Sequence, residues 1–565
     1  MNKISILLIT GILLLCCSKK TIQNSRKKNR GLIAENAMVV SAKEEASKIG
    51  LDIMKQGGNA FDAMVATDLA LLVTYPVAGN IGGGGFMVFR LADGTSGALD
   101  YREMAPISAT KNMYLEQEGK VVSDNSKTGA LAIGVPGTIA GLFEIHKKFG
   151  TISIEKLIQP AINLANNGIV ITEAQAKRFS QHKVSFRKVN QKRILYDQQW
   201  RAGDTIRNPL LAKTLERIKT HGRDGFYKGK TADLIVNKVQ NLGGIITKED
   251  LENYNVKWRE PIIFNYNSHK IISMPPPSSG GICLAQILKT IEPFNIGQYK
   301  HNSKKYIQLI VEAERRSYAD RSYFLGDPDF VDIPTESLIS TKYLSQRMKS
   351  FNWNKATKSS DLTRGSLLGF ESDETTHYSI VDHYGNSVSV TTTLNGAYGS
   401  KVFVDKGGFF LNNEMDDFSS KPGTPNMFGL IGAEANSIAP KKRMLSSMSP
   451  TIIETNGQLK MVLGSPGGST IITTVLQNIL NVLHYNMTMQ ESVSEPRFHH
   501  QWLPDNIKFE PSFDTVVFGP LKKLGYKIDN SNFQVIGKTD AILVLPDGRL
   551  EGGADPRGDD KAEGF

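Results

Sequence analysis

The chain has 565 residues, of which 40% are hydrophobic and 22% charged, an ordinary composition for a globular protein with a large buried core. Length alone would favour three or four domains. The formal net charge of +11 could indicate a nucleic-acid partner. Because no zinc-finger or helix-turn-helix pattern accompanies that charge, we expect a solvated basic surface and no nucleic-acid partner.

The first 17 residues are typical of an export signal. Residues 4–15 form an apolar core that is too short to span a bilayer. The core runs into Cys16 and Cys17, which resembles the lipobox of bacterial lipoproteins, although neither cysteine follows the usual small residue. We therefore predict a signal peptide over 1–17, with Cys16 and Cys17 as lipidation candidates, and a basic polar tether over 18–30. The expected location is the periplasm with a lipid anchor; plain secretion and an uncleaved anchor are the alternatives.

From about Gly31 to its end the sequence is globular. The one further cysteine, Cys283, leaves no disulfide framework, so the fold must depend on core packing. A strand is predicted over 86–91. Apolar periodicity and flanking glycines predict helices over residues 44–56, 60–73, 138–149, 153–166, 283–291 and 304–318.

Residues 352–374 are polar and rich in turn formers, and a linker is the default interpretation. Two runs of β-branched residues follow, 377–381 and 387–394, separated by a short turn that contains glycine and asparagine. This pattern predicts a β-hairpin whose first strand begins directly after the linker.

The register of this hairpin decides what faces Thr375 at its start. If the turn is centred between Tyr384 and Gly385, Thr375 faces Leu394; a slip of one residue puts Thr393 opposite instead. The sequence leaves both registers open. In either register, hydroxyl and amide side chains lie near the strand start.

A hydroxyl nucleophile needs a base, and the usual motifs are absent from the sequence. There is no G-x-S-x-G elbow, no suitably placed S-x-x-K and no H-E-x-x-H. The His499-His500 pair is expected to serve packing and hydrogen bonding, and the glycine run 82–85 lacks a Walker lysine. What remains is a threonine that uses its own α-amino group, of pKa about 7.7–8.0, once the preceding peptide bond is cut.

Several motifs, in one order along the chain, resemble the γ-glutamyltransferase family. The stretch Thr375-Thr376-His377-Tyr378-Ser379 is similar to the processing site of that family. Further similar stretches are residues 80–85, 100–106, 275–281, 411–418, 445–450 and 464–468. The resemblance extends from about Gly31 to the C-terminus.

The resemblance implies an α+β fold, the N-terminal-nucleophile (Ntn) hydrolase αββα sandwich, in which two antiparallel sheets lie between helix layers. It also implies self-cleavage between Glu374 and Thr375. The products would be a large subunit, 31–374, and a small catalytic subunit, 375–565, which stay together as a heterodimer.

The resemblance assigns the catalytic groups as follows. Thr375 is the nucleophile, Thr393 is its hydrogen-bond partner, and Asn395 is a further substrate contact. The backbone amides of Gly467 and Gly468 form an oxyanion hole. These two glycines lie between an apolar strand and a helix, where N–H groups favour negative charge.

Recognition of a γ-glutamyl group requires both signs of charge, because its head carries a carboxylate and an ammonium. By resemblance Arg102, Ser446 and Ser447 bind the carboxylate, with the arginine as a two-pronged donor. Glu414 and Asp417 would bind the ammonium.

Phe428 lies in a segment, 421–436, that resembles the lid loop of bacterial members. An aromatic residue there shields the pocket, and in some members it is a tyrosine whose hydroxyl bonds the asparagine matching Asn395. Phenylalanine keeps the ring but has no hydroxyl.

The expected reaction is attack on the γ-amide of glutathione or its conjugates, followed by hydrolysis or by transfer to amino-acid or dipeptide acceptors. No metal or organic cofactor is expected. One rival is a cephalosporin-acylase-like amidase, which the retained residues Arg102, Asp417, Ser446 and Ser447 disfavour. Another is a silent binding lipoprotein, which would lack the nucleophile or the two glycines.

Overall fold

The computed structural model describes residues 28–122, 124–362, 375–529 and 535–565. The predicted signal peptide, the lipidation candidates Cys16 and Cys17, and Glu374 on the N-terminal side of the predicted cut lie outside these ranges.

The strands in the described ranges are β1 (Ile33–Ala34), β2 (Met38–Ser41), β3 (Gly84–Arg90), β4 (Ser96–Asp100), β5 (Ile169–Val170), β6 (Thr205–Ile206), β7 (Lys257–Arg259), β8 (Ile262–Tyr266), β9 (His269–Ser273), β10 (Thr375–Val381), β11 (Ser387–Thr393), β12 (Phe403–Val404), β13 (Phe409–Phe410), β14 (Thr451–Thr455), β15 (Gln458–Gly464), β16 (Phe498–His499), β17 (Ile507–Phe509), β18 (Ile528–Asp529), β19 (Asp540–Val544), β20 (Leu550–Ala554) and β21 (Lys561–Gly564).

The helices in the same ranges are α1 (Glu44–Lys55), α2 (Ala60–Thr74), α3 (Thr138–Phe149), α4 (Ile154–Asn167), α5 (Glu173–Asn190), α6 (Pro209–His221), α7 (Asp224–Tyr227), α8 (Gly229–Asn241), α9 (Lys248–Glu252), α10 (Gly280–Ile291), α11 (Lys304–Phe324), α12 (Thr335–Leu338), α13 (Thr341–Met348), α14 (Ile471–Tyr485), α15 (Met489–Ser494) and α16 (Phe518–Lys523).

Two seven-stranded antiparallel sheets form the centre of the molecule. The first has the order β21-β2-β10-β11-β3-β4-β7 and the second the order β1-β20-β19-β15-β14-β9-β8. Both sheets combine strands from the two ends of the chain, since β1 pairs with β20 and β2 with β21. The division into three or four domains that length alone favours is therefore wrong.

Helices cover the outer faces of the two sheets, which confirms the α+β sandwich. The all-buried helix α2 packs with Tyr378 and Val390 of the first sheet in one core cluster. Helices α10 and α14 pack with Ile452 and Val462 of the second sheet in another. The layers therefore run helix, sheet, sheet, helix.

Polar side chains of β10 and β11 point between the sheets. Because alternate residues of a strand face opposite sides, Thr375, His377 and Ser379 share the face that meets the second sheet. The Ser379 hydroxyl donates to the Asp540 carbonyl at 2.9 Å, and the Ser389 hydroxyl donates to the Leu463 carbonyl at 2.9 Å. Hydroxyl-to-carbonyl bonds from the middle of the β10–β11 hairpin thus join the two sheets.

The hairpin adopts the slipped register, with Thr375 opposite Thr393 rather than Leu394. The turn is centred on Tyr384, because the Asp382 side chain accepts hydrogen bonds from the backbone N–H groups of Tyr384 and Asn386 and so closes a five-residue loop.

The predicted helices are all present, with ends that differ by a few residues. The largest difference is α11, which continues six residues beyond the predicted end at Tyr318, to Phe324. The predicted linker is partly wrong, because residues 352–362 pack onto the fold: Ser359 is buried and its hydroxyl donates to the Trp502 carbonyl at 2.6 Å. Its remainder, 363–374, lies outside the described ranges.

Candidate active site

One small cavity brings together nearly every residue that the sequence analysis selected for catalysis or substrate binding. Gly467 is the exception: it lines an adjoining cavity, which shares Thr375 with the first. The side chains and backbone of the first cavity belong to Arg102, Arg321, Thr375, Thr393, Asn395, Glu414, Asp417, Phe428, Leu430, Ser446, Ser447, Met448, Gly468 and Ile471.

Thr375 and Thr393 face each other across the start of the hairpin. Their Oγ1 atoms are 3.3 Å apart. The Thr393 hydroxyl also accepts a hydrogen bond from the backbone N–H of Asn395 at 2.7 Å. A hydroxyl that accepts from an N–H still carries its own proton, so Thr393 can donate that proton to Thr375 Oγ1.

The turn between β15 and α14 has a backbone that only glycine adopts easily. Gly467 has a φ of 132° and Gly468 a φ of 53°. A Cβ atom on Gly468 would lie 2.4 Å from the ring of Phe428. Gly467 precedes and Gly468 begins the short turn Gly468–Thr470 that leads into α14, at the positive end of the helix dipole, which favours an anion.

Arg102 lies at the centre of a buried cluster of charges. Its side chain is 1% exposed, and its two terminal nitrogens donate to Glu414 and, at 2.5 Å, to Asp417. A third carboxyl group, on Glu103, is 3.7 Å from the guanidinium and fully buried. The groups predicted to bind opposite ends of one ligand are therefore paired with each other in the structure.

Burial opposes ionisation of these three carboxyl groups. It raises the pKa of Glu103 to about 7 and that of Asp417 to about 6, and it holds the pKa of Glu414 well above its ordinary value; the Arg102 charge acts against each rise. The cluster thus retains protons that exposed carboxyl groups would lose.

Ser446 and Ser447 reach the cavity from the loop before β14. The Ser446 hydroxyl accepts from the Met448 N–H at 3.1 Å, so its own proton can point to a ligand. Ser447 accepts from Arg321 at 3.1 Å. Arg321 is a buried second cation of the site that the sequence analysis missed, because it lies beyond the predicted end of its helix and resembles any solvated arginine.

Phe428 closes the cavity from above the glycine turn. It is 3% exposed, and its ring lies against Gly468. Asn426 holds the backbone at and after Phe428, because its side-chain oxygen accepts hydrogen bonds from the N–H groups of Phe428 and Leu430 at 3.0 and 3.1 Å. The same side chain donates to Asp417 at 3.1 Å, which ties the segment to the charge cluster.

The histidines near the site are buried and serve packing and hydrogen bonding. Burial lowers the pKa of His377 to about 3, and its ring nitrogens bond the hydroxyls of Thr391 and Ser379. His499 and His500 are buried and hydrogen-bonded, as predicted. Among the described residues, no group of three or more His, Cys, Asp or Glu side chains is arranged to hold a metal ion.

Known proteins similar to this chain fall into one group by sequence. A family model described as gamma-glutamyltranspeptidase matches residues 46–565. The chain is 45% identical over 537 residues to the glutathione hydrolase proenzyme of Escherichia coli K12, covering 94% of this chain and 92% of that one. With the glutathione hydrolase proenzyme of Bacillus subtilis 168 the identity is 38%, over 93% and 90% of the two chains.

Solved structures add the comparison of folds. Cephalosporin acylase from Bacillus halodurans superposes with a TM-score of 0.83 at 25% identity, covering 95% of this chain and 97% of that one. The γ-glutamyltranspeptidase of Helicobacter pylori gives a TM-score of 0.56 at 44% identity, and the match covers 60% of this chain and 96% of the solved chain.

The charge cluster predicts a pH-dependent effect of Arg102→Met. Without the cation, the folded-state pKa values of Glu103, Glu414 and Asp417 should rise further above their unfolded values. A carboxyl group whose pKa is raised in the folded state makes the folded protein less stable as the pH rises through that pKa. The loss in free energy of unfolding of the variant, relative to wild type, should therefore grow from about pH 4 to pH 8 and reach about 3–5 kcal/mol. Thermal unfolding midpoints at both ends of this range measure it.

The matched control is Arg549→Met, which removes an arginine from a half-exposed pair with Asp547 and should change little at either pH. A deficit for Arg102→Met that is equal at both ends of the pH range would contradict the charge-cluster explanation.

Proposed function

This chain belongs to the gamma-glutamyltranspeptidase family, and from that premise we propose that it is a γ-glutamyltransferase and glutathione hydrolase. Its substrates are glutathione and related γ-glutamyl amides, and its acceptors are water, amino acids or dipeptides. The observation that carries the proposal is a single cavity that combines a threonine at a strand start with buried groups of both charge signs.

The charge cluster suits the head group of a γ-glutamyl substrate. A zwitterion adds one carboxylate and one ammonium, so it can replace the internal pairs of Arg102 with Glu414 and Asp417 without changing the net charge of the cavity. The substrate carboxylate takes the guanidinium fork and the Ser446 and Ser447 hydroxyls, while its ammonium takes the released acids.

Self-cleavage between Glu374 and Thr375 would provide the base, since the new α-amino group of Thr375 is partly unprotonated near neutral pH. The large subunit, 31–374, and the small subunit, 375–565, then form the active heterodimer. The proenzyme relatives support this arrangement.

In the first half-reaction the α-amino group takes the proton of Thr375 Oγ1, which attacks the γ-carbonyl carbon. Thr393 donates a hydrogen bond to that oxygen. The backbone amides of Gly467 and Gly468 stabilise the negative charge that develops on the carbonyl oxygen. When the C–N bond breaks, the α-ammonium returns the proton to the leaving amine, cysteinylglycine in the case of glutathione.

A γ-glutamyl ester on Thr375 remains, with Asn395 beside it. In the second half-reaction a water molecule or the amine of an acceptor gives its proton to the α-amino group and attacks the ester carbonyl. The same oxyanion site serves again, and Thr375 Oγ1 leaves with the proton restored. Phe428, over Gly468, limits the access of water to this ester.

The rival function is a cephalosporin-acylase-like amidase, since such an enzyme shares this fold. The buried ion cluster favours the γ-glutamyl substrate. An acyl group without an amino-acid head would offer no charged groups for Arg102, Glu414 and Asp417 to bind. A silent binding protein is disfavoured by the presence of both Thr375 and the two glycines.

For location we propose export to the periplasm and lipidation at Cys16 or Cys17, on the basis of the N-terminal sequence alone. Across the described part of the chain, no helix is long and apolar enough to cross a membrane. Radiolabelled palmitate should enter the wild-type chain but not the double variant Cys16→Ser/Cys17→Ser. Equal labelling of both chains would refute lipidation at these cysteines.

Thr375→Ala should remain one long chain without activity, because one hydroxyl serves both self-cleavage and turnover. Thr375→Ser should cleave slowly and keep some activity, since it retains the hydroxyl but not the methyl group that restricts its rotamer. A denaturing gel with N-terminal sequencing, and product release from a γ-glutamyl anilide, measure both. Two normal subunits from Thr375→Ala would exclude this nucleophile.

Arg102→Lys should lower kcat/KM for γ-glutamyl substrates about tenfold to a hundredfold, because lysine holds the carboxylate at one point and loses a charge-assisted bond of about 1.5–3 kcal/mol. Self-cleavage should be normal. The matched control is Arg90→Lys, which weakens another buried arginine pair, with Glu454, away from the cavity. Equal kcat/KM values for the two variants would exclude Arg102 as the carboxylate clamp.

A further inference from the structure

A buried glutamine, Gln501, touches the cover segment, which we define as residues 421–436. Gln501 is 3% exposed, and its amide nitrogen donates to the backbone carbonyls of Phe428 and Leu503, both at 3.2 Å. Because both neighbours are acceptors, the amide must present its NH₂ group to them. The bond to Phe428 involves the backbone, so it does not require a hydroxyl on the ring.

His499 determines which way this amide points. Its Nε2 atom lies 2.8 Å from the Gln501 side-chain oxygen, and its Nδ1 atom lies 2.8 Å from the Thr473 hydroxyl. The glutamine oxygen can only accept, so Nε2 carries the proton. The Thr473 hydroxyl, which lies beside Nδ1, donates to the Thr470 carbonyl at 3.0 Å. A rotated amide would place its oxygen against the Phe428 carbonyl.

Thr473, at the other end of this chain of contacts, lies next to the glycine turn. Thr473 belongs to the first turn of α14, which begins directly after the segment Gly468–Thr470. The Tyr318 hydroxyl donates to the Ser469 carbonyl at 2.5 Å, and its ring meets His499 edge to face at 5.9 Å. The cover segment and the glycine turn are therefore both in contact with one group of side chains, those of Gln501, His499, Thr473 and Tyr318.

We propose that Gln501, oriented by His499, is a positioning residue that latches the cover segment over the glycine turn. The latch sets the gap between the Phe428 ring and Gly468, and with it the retention of the donor and the access of water to the ester. The inference depends on the proposed function for its kinetic part. It gives a role to His499, which the catalytic steps do not use.

The test compares Gln501→Glu with wild type in the self-cleaved protein. The substitution keeps the shape but turns a donor into an acceptor facing the Phe428 carbonyl. We expect KM for a γ-glutamyl anilide to rise about twofold to tenfold, as for the loss of one neutral hydrogen bond. kcat for hydrolysis should change less than about twofold, transfer to glycylglycine should fall relative to hydrolysis, and limited proteolysis within 421–436 should accelerate.

Gln308→Glu is the matched control. Gln308 is also buried and donates to two backbone carbonyls, of Asn352 and Trp353, which are not part of the latch or the cover segment. It should lose stability with a wild-type KM. Gln501→Met and His499→Phe, which remove the donor or its orientation without adding charge, should shift KM and proteolysis in the same direction as Gln501→Glu.

Wild-type KM and proteolysis rates in Gln501→Glu and Gln501→Met would overturn the latch, as would an equal rise of KM in Gln308→Glu. The proteolysis comparison needs no substrate. A wild-type protein without activity on the anilide would contradict the proposed function, whereas unchanged proteolysis in an active protein would contradict the latch alone.

Discussion

Pairing of β10 with β11 in the register that sets Thr375 opposite Thr393 decides which side chains enter the space between the sheets. Since side chains alternate along a strand, a shift by one residue would replace the hydroxyl at position 393 by Leu394 and deprive Thr375 of its partner. The register is held at one end by the Asp382 loop and across the sheet interface by Ser379 and Ser389. Local turn chemistry thus determines the geometry of a site some ten residues away.

The second requirement is a low-dielectric cavity with charges that compensate each other. Arg102 would be costly to bury alone, and so would Glu414 and Asp417, but together they are hydrogen-bonded and nearly excluded from solvent. A ligand enters such a cavity favourably only if it brings its own pair of opposite charges in matching positions. Under the proposed function, selectivity for an amino-acid head group follows from the cost of leaving either partner unpaired.

The helices and most residues of the cavity could be predicted from the sequence. Helix periodicity located α2 and α3 within a residue, and the family motifs selected the residues that meet in the cavity. The register was left open because two hairpins of equal pattern differ only in how Asp382 closes the loop. Arg321 was missed, since burial of a charged residue on α11 depends on neighbours distant in sequence. The packing of Ser359 against Trp502 was missed for the same reason.

The interleaving of strands has a consequence for the molecule that would follow the proposed cut before Thr375. Strand β10 lies between β2 and β11, while β14 pairs with β9 in the second sheet, so both sheets contain strands from either side of the cut. The two pieces cannot part without opening both sheets at once. A cut molecule that unfolds has also lost the covalent connection that brought these strands together, and reassembly becomes bimolecular. Its durability is then governed by the height of the unfolding barrier rather than by an equilibrium between folded and unfolded forms.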